Sequence, residues 1–212
     1  INEIANLCEK TGINVDDISI GMGLDQRIGS RFLRAGPAYG GSCFPKDTKA
    51  ITSTGDKFKI NLSVIKSVIK SNENRSKLLL KRVYVILKNK VKNKKICFLG
   101  VTFKANTDDM RDSSCLKMIP LLLKKGAKIN YFDPTGEKIE FKKLKKVTYS
   151  NNIKSAIKDS DMIIVHTEWN DFKSINFKKY VKNKKFILFD MRNIYSSVKM
   201  KNQKIKYFAI GC

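Results

Sequence analysis

The chain has 212 residues, 42% of them apolar, and a formal net charge of +24. That length and apolar share suffice for one or two packed domains, and no run reaches the ~18 apolar residues that a membrane-spanning helix needs. Five scattered cysteines without a CxxC pair, and a single histidine, argue against a metal site or a disulfide framework and fit free thiols in a reducing cytoplasm.

The opening "INEIANLCEK" has no basic-then-apolar leader and reads as the middle of a helix, so a longer parent protein is expected. Ile1, Ile4, Ala5 and Cys8 share one face of a helix over residues 1–11, which Thr11-Gly12 ends. "NVDDISIGMG" predicts a short capped helix. Residues 25–45 are glycine-rich and irregular, and a helix restarts at Pro45, whose missing N–H suits a first turn. Residues 61–90 contain neither proline nor glycine and predict a long helix, with Val64, Ile65, Val68 and Ile69 at helical spacing.

The pattern then changes. "KKICFLG", "AKINYFDP", "DMIIVHT", "KKFILFDM" and "KIKYFAIG" read as strands, with helices at "SSCLKMIPLLLKKG", "NNIKSAIKDS" and "NFKKYVKN" between them. Pro120 should kink the first of these helices or fall in its first turns. Strands alternating with helices imply an α/β fold with a parallel sheet wound on both faces. The chain therefore divides into a helical region, 1–92, and an α/β domain, 93–212.

Ligands of such sheets bind at the carboxyl ends of the strands. The loop after the first strand, "GVTFKANTDDMRDSS", lacks a G-x-G-x-x-G fingerprint but carries Lys104 and Arg111 before a helix that starts near Asp112–Ser114. A diphosphate site built from charge and a plain polar loop are equally compatible with it. The second candidate is "GPAYGGSCFPKD", residues 36–47. Gly36, Gly40 and Gly41 let the backbone turn and approach a ligand closely. Cys43 falls just before a helix N-terminus, where the dipole and nearby Lys46 stabilise a thiolate, the form a nucleophile needs. Asp47, in the first turn, can cap the helix or move protons. A buried cysteine in a tight turn remains the alternative. The lysines are spread through helix ends and loops with few aromatics among them, so nucleic acid is not the expected partner.

"DQRIGSRFLRAGPAYGGSCFPKD" (25–47), "FLGVTFKANTDDMRDSS" (98–114), "YFDP" (131–134), "HTEWNDF" (166–172) and "FDMRN" (189–193) closely resemble the UDP-glucose/GDP-mannose dehydrogenase family over nearly the whole chain. Within that family, the Thr-Glu-Trp of 167–169 followed by Phe172 resembles the branch acting on UDP-glucose. GDP-mannose or a UDP-N-acetylhexosamine remain alternatives, as does a binding module without turnover.

The resemblance implies a Rossmann-like parallel sheet domain for UDP-sugar and a homodimer through the central helix. It implies a two-step oxidation with two NAD⁺, the aldehyde being captured on Cys43 and released as an acid, with Asp47 assisting proton transfers. It implies that Phe32, Leu33, Arg34, Ala35, Gly36 and Gly40 form the substrate loop. Arg27 would reach the neighbouring subunit's substrate, Lys104 would hold the UDP portion, and Arg192 would lie near the same cleft. Lys46 and Arg111 would face NAD. An N-terminal glycine-fingerprint domain and a catalytic lysine and asparagine of the family have no counterpart in these residues, so the chain alone is expected to be inactive. His166, Trp169, Cys8, Cys97 and Cys115 are expected to be packing residues, and Cys212 a terminal thiol.

Overall fold

The computed structural model describes residues 1–212. Two short helices come first, α1 (Asn2–Thr11) and α2 (Val15–Gly23). Gly12 ends α1 in the left-handed conformation, and the Asn14 side chain caps α2 by accepting from the Asp16 N–H at 3.0 Å. Residues 24–43 then run without regular structure into α3 (Phe44–Lys57) and the long α4 (Ser63–Ile86). These boundaries lie within a few residues of those the sequence predicts.

Six strands follow: β1 (Lys95–Leu99), β2 (Lys128–Phe132), β3 (Val147–Tyr149), β4 (Met162–Val165), β5 (Ile187–Asp190) and β6 (Lys206–Ala209). All pair in parallel, in the order β3-β2-β1-β4-β5-β6. The helices between them are α5 (Cys115–Lys124), α6 (Ile139–Lys142), α7 (Ile153–Ile157), α8 (Phe177–Tyr180) and α9 (Ser197–Asn202). Periodicity missed β3, α6 and α9. Each is six residues or fewer in a lysine-rich stretch, and β3 is an edge strand with no buried residue. Pro120 lies inside α5 rather than in its first turn.

Alternation along the strands divides the core into two layers. On one face Phe98, Tyr131, Ile164 and Phe189 pack against α5 and the C-terminal half of α4. On the other, Cys97, Leu99, Val165 and Leu188 pack with Phe172, Phe177 and Met200. A parallel sheet covered on both faces needs these continuous apolar strands. The first layer does not stop at residue 92. It takes in Leu79 and Val83 of α4, together with Ala5, Cys8 and Val15. Polar contacts reinforce the join: Glu9 accepts from Arg82 and from the Gly211 N–H, and Arg82 also donates to Ala209 O. The helical region is thereby fixed to the carboxyl end of β6.

Candidate active site

The strand order reverses direction between β1 and β4, so the loops that leave these two strands open a crevice at the carboxyl edge. Buried carboxylates shape that edge. Asp133, at the end of β2, accepts from Val101 N–H at 2.9 Å and from both the N–H and hydroxyl of Thr135. Asp190, at the end of β5, accepts from the N–H groups of Arg192 and Tyr195 and from the Tyr207 hydroxyl. Burial pushes the Asp190 carboxyl up, and those donors oppose it. Gly100 has φ +73°, and a Cβ there would lie 2.4 Å from Thr167 Cβ, so glycine lets the two loops touch.

Arg192 bridges the crevice. Its Nε donates to His166 O at 2.8 Å and its Nη2 to Phe103 O at 2.7 Å. Glu168 Oε2 lies 2.9 Å from the same Nε, which already points at His166 O, so that contact is an ion pair rather than a hydrogen bond. Burial lowers the Arg192 pKa, and Glu168 opposes the shift. His166 is buried, with Nε2 2.7 Å from Ser114 Oγ and Nδ1 3.1 Å from Thr167 Oγ1. Burial, then the Arg192 charge, lower its pKa to about 3, so it stays neutral and structural. Trp169, Cys8, Cys97 and Cys115 are buried as expected, and Cys212 is exposed.

The irregular segment 24–43 lies against this edge and closes a cleft of about 850 Å³. Phe32, Arg34, Gly36, Gly40, Lys104 and Arg192 line it together. Leu33 and Ala35 do not. Leu33 O accepts from Ser19 Oγ at 2.7 Å, and Ala35 is buried in the core. Arg27 points away into solvent and forks onto Asp25 of its own chain. Lys104 and Arg111 do not form a joint cation site. Lys104 faces the cleft beside Arg192, whereas Arg111 forks onto Asp109.

The glycines of the cysteine loop bear out the expected turn at Gly41, and the close approach they allow is to neighbouring protein. Gly41 has φ +90°, and a Cβ there would lie 2.6 Å from the Phe103 ring. A Cβ on Gly40 would lie 2.7 Å from Asp112 O, and Gly41 N–H donates to Arg111 O at 2.8 Å. At Gly36 a Cβ would lie 3.2 Å from Arg192 Nη1. Gly40 and Gly41 thus approach the loop after β1, and Gly36 approaches the Arg192 side chain.

Cys43 is exposed and occupies the N-cap of α3, with Sγ 3.6 Å from Ser42 Oγ. Cys43 O accepts from the Asp47 N–H at 2.8 Å. Lys46 pairs with Asp47 rather than with the thiol, and that bond raises the Lys46 pKa. The bond to Asp109 likewise raises the Arg111 pKa, and the nearby Cys43 charge adds to both shifts. Two exposed cations therefore lie in the neighbourhood of the thiol, each paired with a carboxylate. Exposed cations suit an anionic group, and the chain carries no G-x-G-x-x-G cradle for a whole dinucleotide.

Three cleft residues escaped the sequence reading. Asn72 exchanges two hydrogen bonds with Tyr39 N–H and O, at 2.9 and 3.0 Å. Asn2 Oδ1 accepts from Gly36 N–H at 2.9 Å. Arg75, 3% exposed, donates to Gly36 O at 3.1 Å and Asn6 Oδ1 at 2.6 Å. Its Nη2 is buried without a partner, and burial lowers its pKa to about 10. Asn72 and Arg75 are one helical turn apart on α4. They stand in a wholly polar stretch, 70–77, so no local signal singles them out.

Comparison with known proteins places the sequence and the fold. Residues 1–74 match the model of the UDP-glucose/GDP-mannose dehydrogenase family central domain, and 97–197 that of the same family's UDP binding domain. A UDP-glucose 6-dehydrogenase of Rickettsia felis is 42% identical over 214 residues, covering 100% of this chain and 48% of the relative. One from Rhizobium meliloti is 39% identical, again over 100% of this chain and 48% of the relative. A UDP-glucose dehydrogenase structure from the archaeon Pyrobaculum islandicum superposes with TM-score 0.84 at 26% identity, covering 99% of this chain and 46% of that one. The chain spans about half the length of the curated relatives it matches.

Proposed function

The chain belongs to the UDP-glucose/GDP-mannose dehydrogenase family, and on that premise we propose that it carries the thiol and the nucleotide-sugar site of an NAD-dependent UDP-glucose 6-dehydrogenase. One observation carries the reading. An exposed cysteine at a helix N-terminus is held, through Gly40 and Gly41, against the loop that lines a cationic cleft at the switch point of the sheet.

In this reading Lys104 and the Nη1 of Arg192 bind the diphosphate, and the ring of Phe32, 95% exposed, closes over the nucleotide sugar. Arg34, Gly36 and Gly40 line the sugar, with Leu33 and Ala35 holding the loop's course. The Cys43 thiolate adds to C6 at the aldehyde level and holds that carbon as a thiohemiacetal. Its oxidation leaves a thioester, and water cleaves the C–S bond to release UDP-glucuronate and the free thiol. Asp47, one turn into α3, takes and returns the protons of addition and hydrolysis. Lys46 and Arg111, exposed cations near the thiol, would hold the NAD pyrophosphate. NAD⁺, when bound, supplies the electron acceptor for each of the two oxidations.

Residues 1–92 serve as the dimerisation region with the cysteine loop, and 93–212 as the UDP-sugar domain, although one core layer spans both. Ile4 and Leu7, exposed on α1, support a homodimer through that helix, which brings Arg27 to the neighbour's substrate. The 212 residues alone bind the nucleotide sugar without turning it over.

A thermal-shift and calorimetric panel tests this. UDP-glucose should raise the melting temperature through mass action, and more than UDP-GlcNAc, UDP-ManNAc or GDP-mannose does. No shift with any of the four would remove the reading. Cys43→Ser should leave that shift intact, yet abolish NADH formation in a full-length enzyme carrying these residues.

A further inference from the structure

We propose that the amino edge of the sheet, opposite the cleft, is a docking face for an anionic phospholipid surface. The charge of this chain is not spread evenly over the fold. Every strand begins in an exposed lysine or follows one closely: Lys95 at β1, Lys128 at β2, Lys146 at β3, Lys158 at β4, Lys185 at β5 and Lys206 at β6. The joining segments 88–95, 124–128, 142–146, 178–185 and 199–206 are rich in lysine and contain no acidic residue. At the sixth junction Asp159 and Asp161 accompany Lys158.

The carboxyl edge is the reverse. Its loops hold only Lys104, Lys138, Lys173, Arg111 and Arg192 as cations, against Asp108, Asp109, Asp112, Asp133, Glu137, Glu168, Asp171 and Asp190. A lysine-rich composition by itself would load both edges. An anionic substrate does not account for the band either, because the cleft opens at the other edge.

Helix dipoles explain only part of it. In this fold the helices end at the amino edge, and a dipole favours a cation in the last turn, as at Lys124 and Lys142. Lys92, Lys128 and Lys185 lie beyond any helix end. Of the lysines in these segments, only Lys94 and Lys142 have a carboxylate within salt-bridge distance. The rest are unpaired like charges that repel one another in the free protein.

Strands lie ~4.8 Å apart, so the six starts extend over roughly 25 Å. Neighbouring charges then fall within a Debye length of ~8 Å at physiological salt, and their potentials sum. The flanking helix ends widen the row into a face. None of the large exposed apolar side chains falls in the joining segments. Lysines are point charges, and no exposed aromatic stands among them to stack on bases. A flat array of this kind matches a plane of anionic headgroups, bound from outside without insertion. Docked so, the cleft faces away from the bilayer.

Sedimentation of the 212-residue chain with vesicles decides the matter. Phosphatidylcholine vesicles containing ~30% phosphatidylglycerol should bind it on the order of a hundredfold more tightly than phosphatidylcholine alone, and 0.5 M NaCl should release it. Lys128→Glu, Lys145→Glu, Lys182→Glu and Lys185→Glu together should weaken binding about a hundredfold or more. Lys10→Glu, Lys57→Glu, Lys70→Glu and Lys77→Glu, with the same net charge, should weaken it less than about threefold. Glutamine at the four edge positions, which removes charge without adding repulsion, keeps the test valid if the glutamate set fails to fold. Equal loss in both sets, no preference for phosphatidylglycerol, or tighter binding to duplex DNA than to vesicles would overturn the proposal.

Discussion

Two irregular segments meet at the cleft, and they are held by different means. The loop after β1, residues 100–114, is fixed by its own sheet. Asp133 holds its backbone, Ser113 Oγ donates to Val101 O at 2.6 Å, and Thr167 Oγ1 donates to Thr102 O at 2.7 Å. The cysteine loop has no such neighbours along the chain. Asn2, Asn72 and Arg75 reach it from α1 and α4, and the backbone of Arg111 holds Gly41. The first loop is part of the folding core. The second borrows its shape, so changes there should move the thiol more than they melt the protein.

Paired glycine substitutions give the largest contrast. Gly100→Ala puts a Cβ at φ +73° and 2.4 Å from Thr167 Cβ, with Thr167 Cα also close at 3.2 Å. Neither strand end can retreat, and global stability should fall by ~3 kcal/mol or more, read from urea midpoints. Gly41→Ala is strained as well, but its nearest atoms belong to the Phe103 ring, which is only half-buried and can swing aside. Its midpoint should fall by ~1 kcal/mol. The rate at which a thiol reagent modifies Cys43 should change several-fold. Equal losses from both substitutions would erase the distinction between the two loops.

Arg75 probes the borrowed anchors, at a smaller cost. Arg75→Leu removes the donors to Gly36 O and Asn6 Oδ1 but fills much of the space, so ~2–3 kcal/mol should be lost from unsatisfied buried groups. Arg75→Lys keeps the charge without the fork and should recover only part of this. UDP-glucose affinity should fall in both variants by more than the melting temperature implies, because Gly36 lines the cleft. A drop in stability with unchanged affinity would make Arg75 a packing residue only.

The same contrast explains what was legible in the sequence. Phe98, Ile164 and Leu188 sit in apolar runs that only a doubly covered parallel sheet can satisfy, so the layer architecture could be read directly. The glycine-flanked cysteine and the following proline marked a turn into a helix, and that turn is where Cys43 stands. Long-range polar contacts left no local trace. Asn2 and Gly36, or Asn72 and Tyr39, are more than thirty residues apart, and neither side chain's type predicts its partner. Short edge elements such as β3 were hidden because their few residues bury too little surface to impose a period. The segregation of lysine to one edge was likewise invisible until the topology brought six strand starts together.

His166 offers the sharpest check on the sheet side. In the folded chain its pKa is lowered from the ordinary 6.5 to about 3, by burial first and the Arg192 charge second. Between those values the unfolded chain binds a proton that the native state refuses. Stability contributed by the neutral ring is therefore complete above pH ~6.5 and is lost as the pH falls toward 3. From pH 7 to pH 5 the loss amounts to about 2 kcal/mol at most. His166→Gln keeps a hydrogen-bonding group toward Ser114 but cannot titrate, so the gap between wild type and variant should narrow by that amount at pH 5. The buried Asp190 carboxyl titrates in both proteins and cancels from the difference. A gap that stays constant from pH 7 to 5 would mean that the ring accepts its proton in place, and that the sheet-edge loop is looser than its hydrogen bonds imply.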